Sequence, residues 1–168
     1  MLNILYLHGL DSKLSPEKRA VLEKFGDVFA LDLNYYEDPD AIETILKNSP
    51  ADGIDAVIGS SMGGFAGYHV SNALDRPALL FNPALARRSV AQNIPEIATN
   101  NSLKQIVLGQ VDEVIAPVDT LEYLSGDFNS ETDLYLRLVP GLGHNIPVPL
   151  FEQEVRSFFE KLRHQISR

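Results

Sequence analysis

The sequence predicts a three-layer, doubly wound α/β fold, in which helices cover both faces of a mostly parallel six-stranded sheet. Two observations favour this class. Short, continuously apolar runs alternate with amphipathic segments along the chain, and no repeat or linker interrupts the alternation. The 168 residues fit one sizeable core, so we expect a single domain over residues 1–168.

The strands are predicted from six apolar runs. Their sequences, in chain order, are ILYLHG, VFALDL, DAVIGS, ALLFNP, KQIVLG and LYLRLVPG. Pro83 ends the fourth run because proline cannot donate to a strand ladder. The sixth run is less purely apolar than the others, as expected of a strand at the sheet edge.

The helices are predicted from caps and from apolar residues that share one face. The first begins after Ser15 as N-cap, with Pro16 at its first position. Another is expected over residues 62–74, and a further one from about Pro117. Residues 84–103 are mixed in composition, so we expect a partly helical segment there, which is the only plausible short lid. The expected inner faces are Val21, Leu22 and Phe25 in the first helix, Ala41, Ile42, Ile45 and Leu46 in the second, and Phe151, Val155, Phe158 and Leu162 in the last.

Composition narrows the classes of function. The chain has no cysteine, which excludes disulfides, thiolate catalysis and cysteine-ligated metals and fits a cytoplasmic location. The net charge of −9 argues against nucleic acid as a partner, and Arg87 and Arg88 are expected to be solvated. The N-terminus does not resemble a signal peptide, and no apolar run is long enough to span a membrane. The oligomeric state stays open.

Polar residues follow the strands at the edge where such sheets bind ligands. His8, Gly9 and Leu10 follow the first strand, Ser61 the third, Asp112 the fifth and His144 the sixth. The order serine, acid, histidine is typical of serine hydrolases.

Ser61 is the predicted nucleophile. The stretch GSSMG, residues 59–63, matches G-x-S-x-G, a strained strand-to-helix turn that projects the serine. Gly59 and Gly63 leave the space that this turn requires. Ser60 occupies the x position and is expected to face away. A phosphate-binding turn is the alternative, but the chain has neither G-x-G-x-x-G nor a lysine after these glycines.

His144 is the predicted general base. It lies in the glycine-containing loop VPGLGHNIP, which can fold over Ser61, and an imidazole titrates near neutral pH. His69 is expected to be a partly buried or surface helix residue, and His164 to be solvent-exposed at the end of the last helix.

Asp112 is the predicted acid that orients the histidine. It follows the fifth strand by three residues, and Val111, Val114 and Ile115 are expected to shelter it. Glu113 is the close alternative and Asp119 a distant one.

The backbone N–H groups of Leu10 and Met62 are the predicted oxyanion donors. His8 is expected mainly to shape its loop, and Asn82 mainly to fix a loop near the site. Both, with Ile146, are also candidate substrate contacts.

The sequence offers candidates for an acyl pocket but none for a metal or cofactor site. Leu10, Met62, Ile94 and Ile146 are candidates for an acyl pocket. No cluster has metal-ligand spacing, so neither a metal nor another cofactor is expected.

The motifs LYLHGLDS, GSSMGG, LGQVDEVIAP and PGLGHNI resemble those of the α/β-hydrolase family, in order and over nearly the whole chain. More closely, the chain resembles the small bacterial YqiA-type esterases, which share the HG motif and the N-P pair after the fourth strand. The resemblance implies Ser61, Asp112 and His144 as a catalytic triad, and activity on short-chain acyl esters or thioesters. Larger members have an extra antiparallel hairpin and a cap domain, so a minimal sheet and an open site are expected here.

The sequence therefore predicts a serine esterase that acts on a small acyl substrate through an acyl-enzyme. A thioesterase, amidase or acyltransferase could use the same triad, because pocket shape decides the leaving group. A protein-binding module that retains the fold without its activity is the alternative from another class.

Overall fold

The computed structural model describes residues 1–50, 53–97, 101–127, 129 and 131–166. Strands and helices alternate along most of this chain. In order they are β1 (Leu2–Leu7), α1 (Pro16–Leu22), β2 (Gly26–Ala30), α2 (Ala41–Asn48), β3 (Ala56–Ser60), α3 (Met62–Leu74), β4 (Ala78–Phe81), β5 (Lys104–Gly109), α4 (Pro117–Asp127), β6 (Leu134–Val139) and α5 (Val148–Ile166).

All six strands belong to one parallel sheet with the order β2-β1-β3-β4-β5-β6. The predicted six-stranded sheet is therefore confirmed, and β6 lies at an edge as expected. Most β6 side chains are exposed, whereas those of β4 and β5 are buried. Because the strands are parallel, their carboxyl ends share one edge of the sheet.

Two apolar cores lie on opposite faces of the sheet, because successive side chains of a strand alternate. Leu5 and Leu7 of β1 pack into a core with α2, α3 and α4. Ile4 and Tyr6 pack into a second core with α1 and α5. This is the predicted three-layer arrangement. None of the helices that the structure describes is long and apolar enough to span a bilayer.

The helix starts follow the predicted signals. The Ser15 side chain accepts a hydrogen bond from the backbone N–H of Lys18 at 3.3 Å, and Pro16 opens α1. α3 spans the predicted residues 62–74, and α4 begins at Pro117. Phe25 lies beyond the end of α1, where it stacks on Phe159 at 4.6 Å between ring centroids.

β2 differs from its prediction because it ends at Ala30, before the last three residues of VFALDL. Its pairing with β1 runs from Leu2–Gly26 to Tyr6–Ala30. Beyond this point the chain leaves the ladder, and the Leu33 N–H instead donates to Nε2 of His8 at 2.9 Å.

The expectation of helix in residues 84–103 is wrong for the described part, because 84–97 contain no regular element. Long-range hydrogen bonds hold this segment instead. The Gln92 side chain donates to the carbonyl groups of Tyr35 and Asp38, and the Asn93 N–H donates to that of Pro39. Residues 98–100 lie outside the described part, and the lid interpretation stays a prediction.

Candidate active site

Ser61 lies at a sharp turn between β3 and α3. Its φ of 55° and ψ of −116° are rarely adopted by a residue with a side chain. The Ser61 N–H donates to the carbonyl of Phe81 at 2.9 Å, and its carbonyl accepts from the N–H of Phe65 at 3.0 Å. The neighbouring strand and the first turn of α3 thus hold the strained turn that the sequence predicts.

The flanking glycines allow strand and helix to approach each other closely. A Cβ atom at Gly59 would overlap the backbone of Gly63, and one at Gly63 would overlap the carbonyl of Leu7. A Cβ at Gly64 would lie 2.9 Å from Cα of Pro83. Backbone atoms fill these positions, so the turn tolerates no side chain there.

His144 connects the serine to a carboxylate. Its Nε2 lies 3.1 Å from Ser61 Oγ, and its Nδ1 lies 2.8 Å from Asp112 Oδ2. With the proton on Nδ1, the ring donates to the carboxylate and accepts from the serine hydroxyl. The His144 side chain is 25% exposed and the Asp112 side chain is fully buried. The structure therefore brings the three predicted residues together in a hydrogen-bonded chain.

Backbone donors compensate the burial of Asp112. Its Oδ1 accepts from the N–H groups of Val114 at 2.8 Å and Ile115 at 2.9 Å, so both oxygens are bonded. The alternatives are elsewhere: Glu113 is exposed, and Asp119 pairs with Arg87 at 3.3 Å. The valines shelter the pair less than expected, since the exposed fractions of Val111 and Val114 are 55% and 67%.

Asn82 ties the histidine loop to the end of β5. Its Oδ1 accepts from the Gly109 N–H at 2.7 Å, and its Nδ2 donates to the carbonyls of Gly143 and His144 at 3.2 and 3.0 Å. The side chain is almost fully buried, and its φ is 41°. The favoured expectation of a loop-fixing residue agrees with these contacts, and Asn82 does not line the serine pocket.

His8 is bonded within its own surroundings. Its Nδ1 donates to the Gly9 carbonyl at 2.7 Å, while Nε2 accepts from the Leu33 N–H. Its backbone carbonyl accepts from the Tyr35 hydroxyl at 3.0 Å. The loop-shaping expectation agrees with this geometry. His8 lines a neighbouring pocket instead of the one at Ser61, which speaks against its expected substrate contact.

A pocket of about 540 Å³ opens at Ser61. Leu10, Met62 and Ile146 line it as expected, whereas Ile94 does not. A Cβ at Gly9 would lie 3.3 Å from the Ser61 Cβ, so the loop after β1 passes directly beside the serine. Ser60 also contributes to the lining, contrary to the expectation that it faces away.

Basic residues form part of the same pocket. Lys13 and Lys18 come from the segment after β1, and Arg88 from the segment after β4. Arg87 is solvated as expected, but that expectation is wrong for Arg88, whose guanidinium carbon lies 4.1 Å from the Phe65 ring centroid. Sequence reasoning missed both Lys18 and Arg88. Both lie in segments that follow a strand of the sheet, β1 for Lys18 and β4 for Arg88, and this is the signal that could have found them.

The other histidines stand apart from this chain of hydrogen bonds. His69 is buried in α3, and burial together with the nearby Arg88 charge lowers its pKa to about 4. His164 is exposed, as expected. Across the described ranges, no three His, Cys, Asp or Glu side chains cluster as metal ligands would.

Comparison with protein families gives one match, over residues 3–117, to the uncharacterised protein family UPF0227. The chain belongs to this family. The UPF0227 family is YqiA-like, so the resemblance drawn from the motifs is confirmed. No curated protein matches the chain at a significant level.

Solved structures show that this UPF0227 chain has the α/β-hydrolase fold. A protein from Xanthomonas campestris pv. campestris, assigned to the alpha/beta hydrolase superfamily, is 17% identical with a TM-score of 0.70, and the match covers 98% of this chain and 99% of that one. Est1E from Butyrivibrio proteoclasticus is 14% identical with a TM-score of 0.67, covering 99% and 89%. Alpha/beta hydrolase domain-containing protein 10 from mouse is 14% identical with a TM-score of 0.70, covering 95% and 90%.

Proposed function

We propose that this protein is a serine hydrolase that cleaves small carboxylic esters. The observation that carries the proposal is the hydrogen-bonded chain Ser61–His144–Asp112, with the serine on a strained turn at the mouth of a pocket. A carboxylate that is buried and doubly bonded to backbone N–H groups is suited to holding one imidazole tautomer. The esterase and hydrolase names of neighbours with this fold are consistent with the proposal.

Acylation begins at Ser61. Its Oγ attacks the substrate carbonyl carbon while its proton passes to Nε2 of His144, and Asp112 stabilises the resulting imidazolium. The negative charge that develops on the carbonyl oxygen is held by the backbone N–H groups of Leu10 and Met62. Met62 opens α3, whose positive dipole end favours the same charge.

Acylation ends with release of the alcohol, and deacylation then repeats the same steps with water. The C–O bond to the alcohol breaks as His144 returns the proton to the leaving oxygen, which gives the free alcohol and an acyl-Ser61. A water molecule then gives a proton to Nε2 and attacks the acyl carbon. The resulting tetrahedral intermediate collapses: the bond between the acyl carbon and Ser61 Oγ breaks, His144 returns the proton to Oγ, and the carboxylic acid leaves.

A fluorophosphonate probe tests the nucleophile. Intact-mass and peptide analysis should find one phosphonyl group on Ser61 of the folded wild type and none on Ser61→Ala. The matched control is Ser60→Ala, which removes the neighbouring hydroxyl and should still be labelled. Labelling at Ser60, or no labelling of folded wild type, would contradict the mechanism.

The leaving group is tested by substrates that share one acyl chain. The butyrate ester, thioester and amide separate an esterase from a thioesterase or an amidase, and transfer to an added alcohol detects an acyltransferase. We expect kcat/KM to be highest for the ester. If every substrate and the probe fail while one protein binds tightly, the chain is instead a binding module with this fold.

A further inference from the structure

The Ser61 pocket concentrates positive charge in an acidic protein. The chain has 23 acidic and 14 basic residues, yet Lys13, Lys18 and Arg88 line this pocket and, within the part of the chain that the structure describes, no aspartate or glutamate does. An arrangement that follows the overall composition would place more acids than bases there. A concave site with charge of one sign concentrates the field and attracts ligands of the opposite sign.

Lys18 is a half-buried cation without a matching carboxylate. It lies in the first turn of α1, with Nζ 5.3 Å from the Phe151 ring centroid, and burial lowers its pKa. It forms no ion pair with any residue the structure describes. Lys13 differs, because it is exposed and pairs with Asp32 at 3.3 Å. The desolvation of Lys18 is therefore uncompensated by any acid of the described chain.

Arg88 is the second such cation. Its Nη1 donates to the Leu85 carbonyl at 2.7 Å, its guanidinium stacks on Phe65, and its Nε is buried without a hydrogen-bond partner among the described residues. Within the same part of the chain, it has no ion pair. Carbonyl oxygens and a ring face fix the group in place but leave its full charge unneutralised.

Lys18 and Arg88 line the same pocket as Ser61 and come from the segments that follow the two strands beside β3. Lys18 follows β1 and Arg88 follows β4, and these strands are the two neighbours of β3, which leads into Ser61. We infer that the pocket selects acyl esters that carry an anionic group, a carboxylate or a phosphate, bound by Lys18 and Arg88 while Ser61 attacks the ester carbonyl. This inference rests on the proposed function and names its substrate class.

Two pairs of esters, each matched except for charge, test the inference and separate the two anions. 1-Butyrylglycerol 3-phosphate is compared with 1-butyrylglycerol, and monoethyl adipate with its neutral amide, ethyl adipamate. In at least one pair, kcat/KM should be about tenfold higher for the anionic member at low salt, as a charge-assisted hydrogen bond supplies. Added salt should reduce this ratio.

Substitutions test which side chains produce the preference for anionic esters. Lys18→Gln and Arg88→Gln should each lower the anionic-to-neutral ratio about threefold, so that together they abolish the roughly tenfold preference, while Arg88→Lys should retain most of it. Lys24→Gln is the matched control: it removes the same charge from a lysine that pairs with Glu152 outside the pocket, and both rates should stay unchanged. Lys18→Gln and Arg88→Lys remain informative if Arg88→Gln does not fold.

These experiments distinguish a wrong substrate class from a wrong hydrolase proposal. If Ser61 is labelled and the neutral esters are cleaved, but neither anion is preferred, the substrate class is wrong and the hydrolase stands. A preference that Lys24→Gln lowers as much as Lys18→Gln would overturn the assignment to this pocket. If no ester is cleaved and Ser61 is unlabelled, the hydrolase proposal and this inference fail together.

Discussion

Asn82 offers a decisive substitution, because one buried amide holds two parts of the candidate site. It joins the Gly109 N–H at the end of β5 to the carbonyls of Gly143 and His144. Asn82→Ala removes all three hydrogen bonds. The histidine loop then loses its side-chain anchor to the sheet, while the atoms of the Ser61–His144–Asp112 chain remain.

The cost can be estimated from the surroundings of each group. The Gly109 contact is buried, and a buried donor left without a partner costs about 1–3 kcal/mol. The two carbonyl contacts are partly buried and lose less. Alanine at the observed φ of 41° adds about 1 kcal/mol, since asparagine tolerates this conformation better. Asn82→Ala should therefore destabilise the fold by about 4 kcal/mol.

Activity should fall by a separate route. Displacing His144 by about 1 Å would lower kcat about 100-fold, because acylation in the proposed mechanism depends on the position of the imidazole. The assay measures hydrolysis of 4-nitrophenyl butyrate alongside unfolding in urea. Asn82→Asp provides a second variant. Aspartate has nearly the same shape and still accepts from the Gly109 N–H, but its second oxygen would face the carbonyls of Gly143 and His144 and repel them. We therefore expect a lower kcat than in the wild type for this variant too.

Ile45→Ala is the stability control. Ile45 of α2 is fully buried and lies away from the pocket lining, and its truncation costs about 2–5 kcal/mol. It should lower stability as much as Asn82→Ala and leave kcat near the wild-type value. The positioning argument is wrong if Asn82→Ala loses stability but keeps kcat, and the energetic argument is wrong if stability does not change.

Two further predictions concern the elbow and the buried histidine. Gly63→Ala should abolish folding or Ser61 labelling because its Cβ overlaps the Leu7 carbonyl, whereas Gly126→Ala, in open space within α4, should be neutral or up to about 1 kcal/mol stabilising, as measured by urea unfolding. Burial lowers the pKa of His69 in the folded state to about 4 from its ordinary value of 6.5, so the unfolded chain binds more protons between these values. Stability should fall by about 3 kcal/mol as pH drops from 6.5 to 4, and His69→Gln should remove this contribution while His164→Gln keeps it. Gly63→Ala that folds and is labelled at Ser61 would contradict the first account. An unchanged dependence of stability on pH in His69→Gln would contradict the second.

Local patterns predicted most of the fold. Ser15 and Pro16 mark the start of α1 because capping depends only on nearby residues, and the apolar runs predict strands because parallel strands are buried on both faces. Three site residues were predictable for a similar reason: Ser61, Asp112 and His144 lie one, three and five residues after the ends of β3, β5 and β6, and the topology gathers such positions at one edge.

The structure differs from the sequence-based predictions where contacts with residues far away in the sequence determine the local conformation. β2 stops at Ala30 because the Leu33 N–H bonds to His8, which lies 25 residues away. Arg88 is packed instead of solvated because Phe65 of α3 stacks with its guanidinium. Residues 84–97 form no helix because Gln92 bonds to the loop after β2. None of these contacts leaves a local pattern in the sequence.

The order in which strands join the sheet bears on synthesis at the ribosome. Once β1, β2 and β3 have paired, β4, β5 and β6 each join the same growing edge in the order in which they are translated. Domains tend to fold from the N-terminus as the chain emerges. Ser61 is therefore set in its turn before β5, β6 and His144 have left the exit tunnel, so the nascent chain carries the Ser61 hydroxyl without its hydrogen-bond partner until the loop after β6 has emerged.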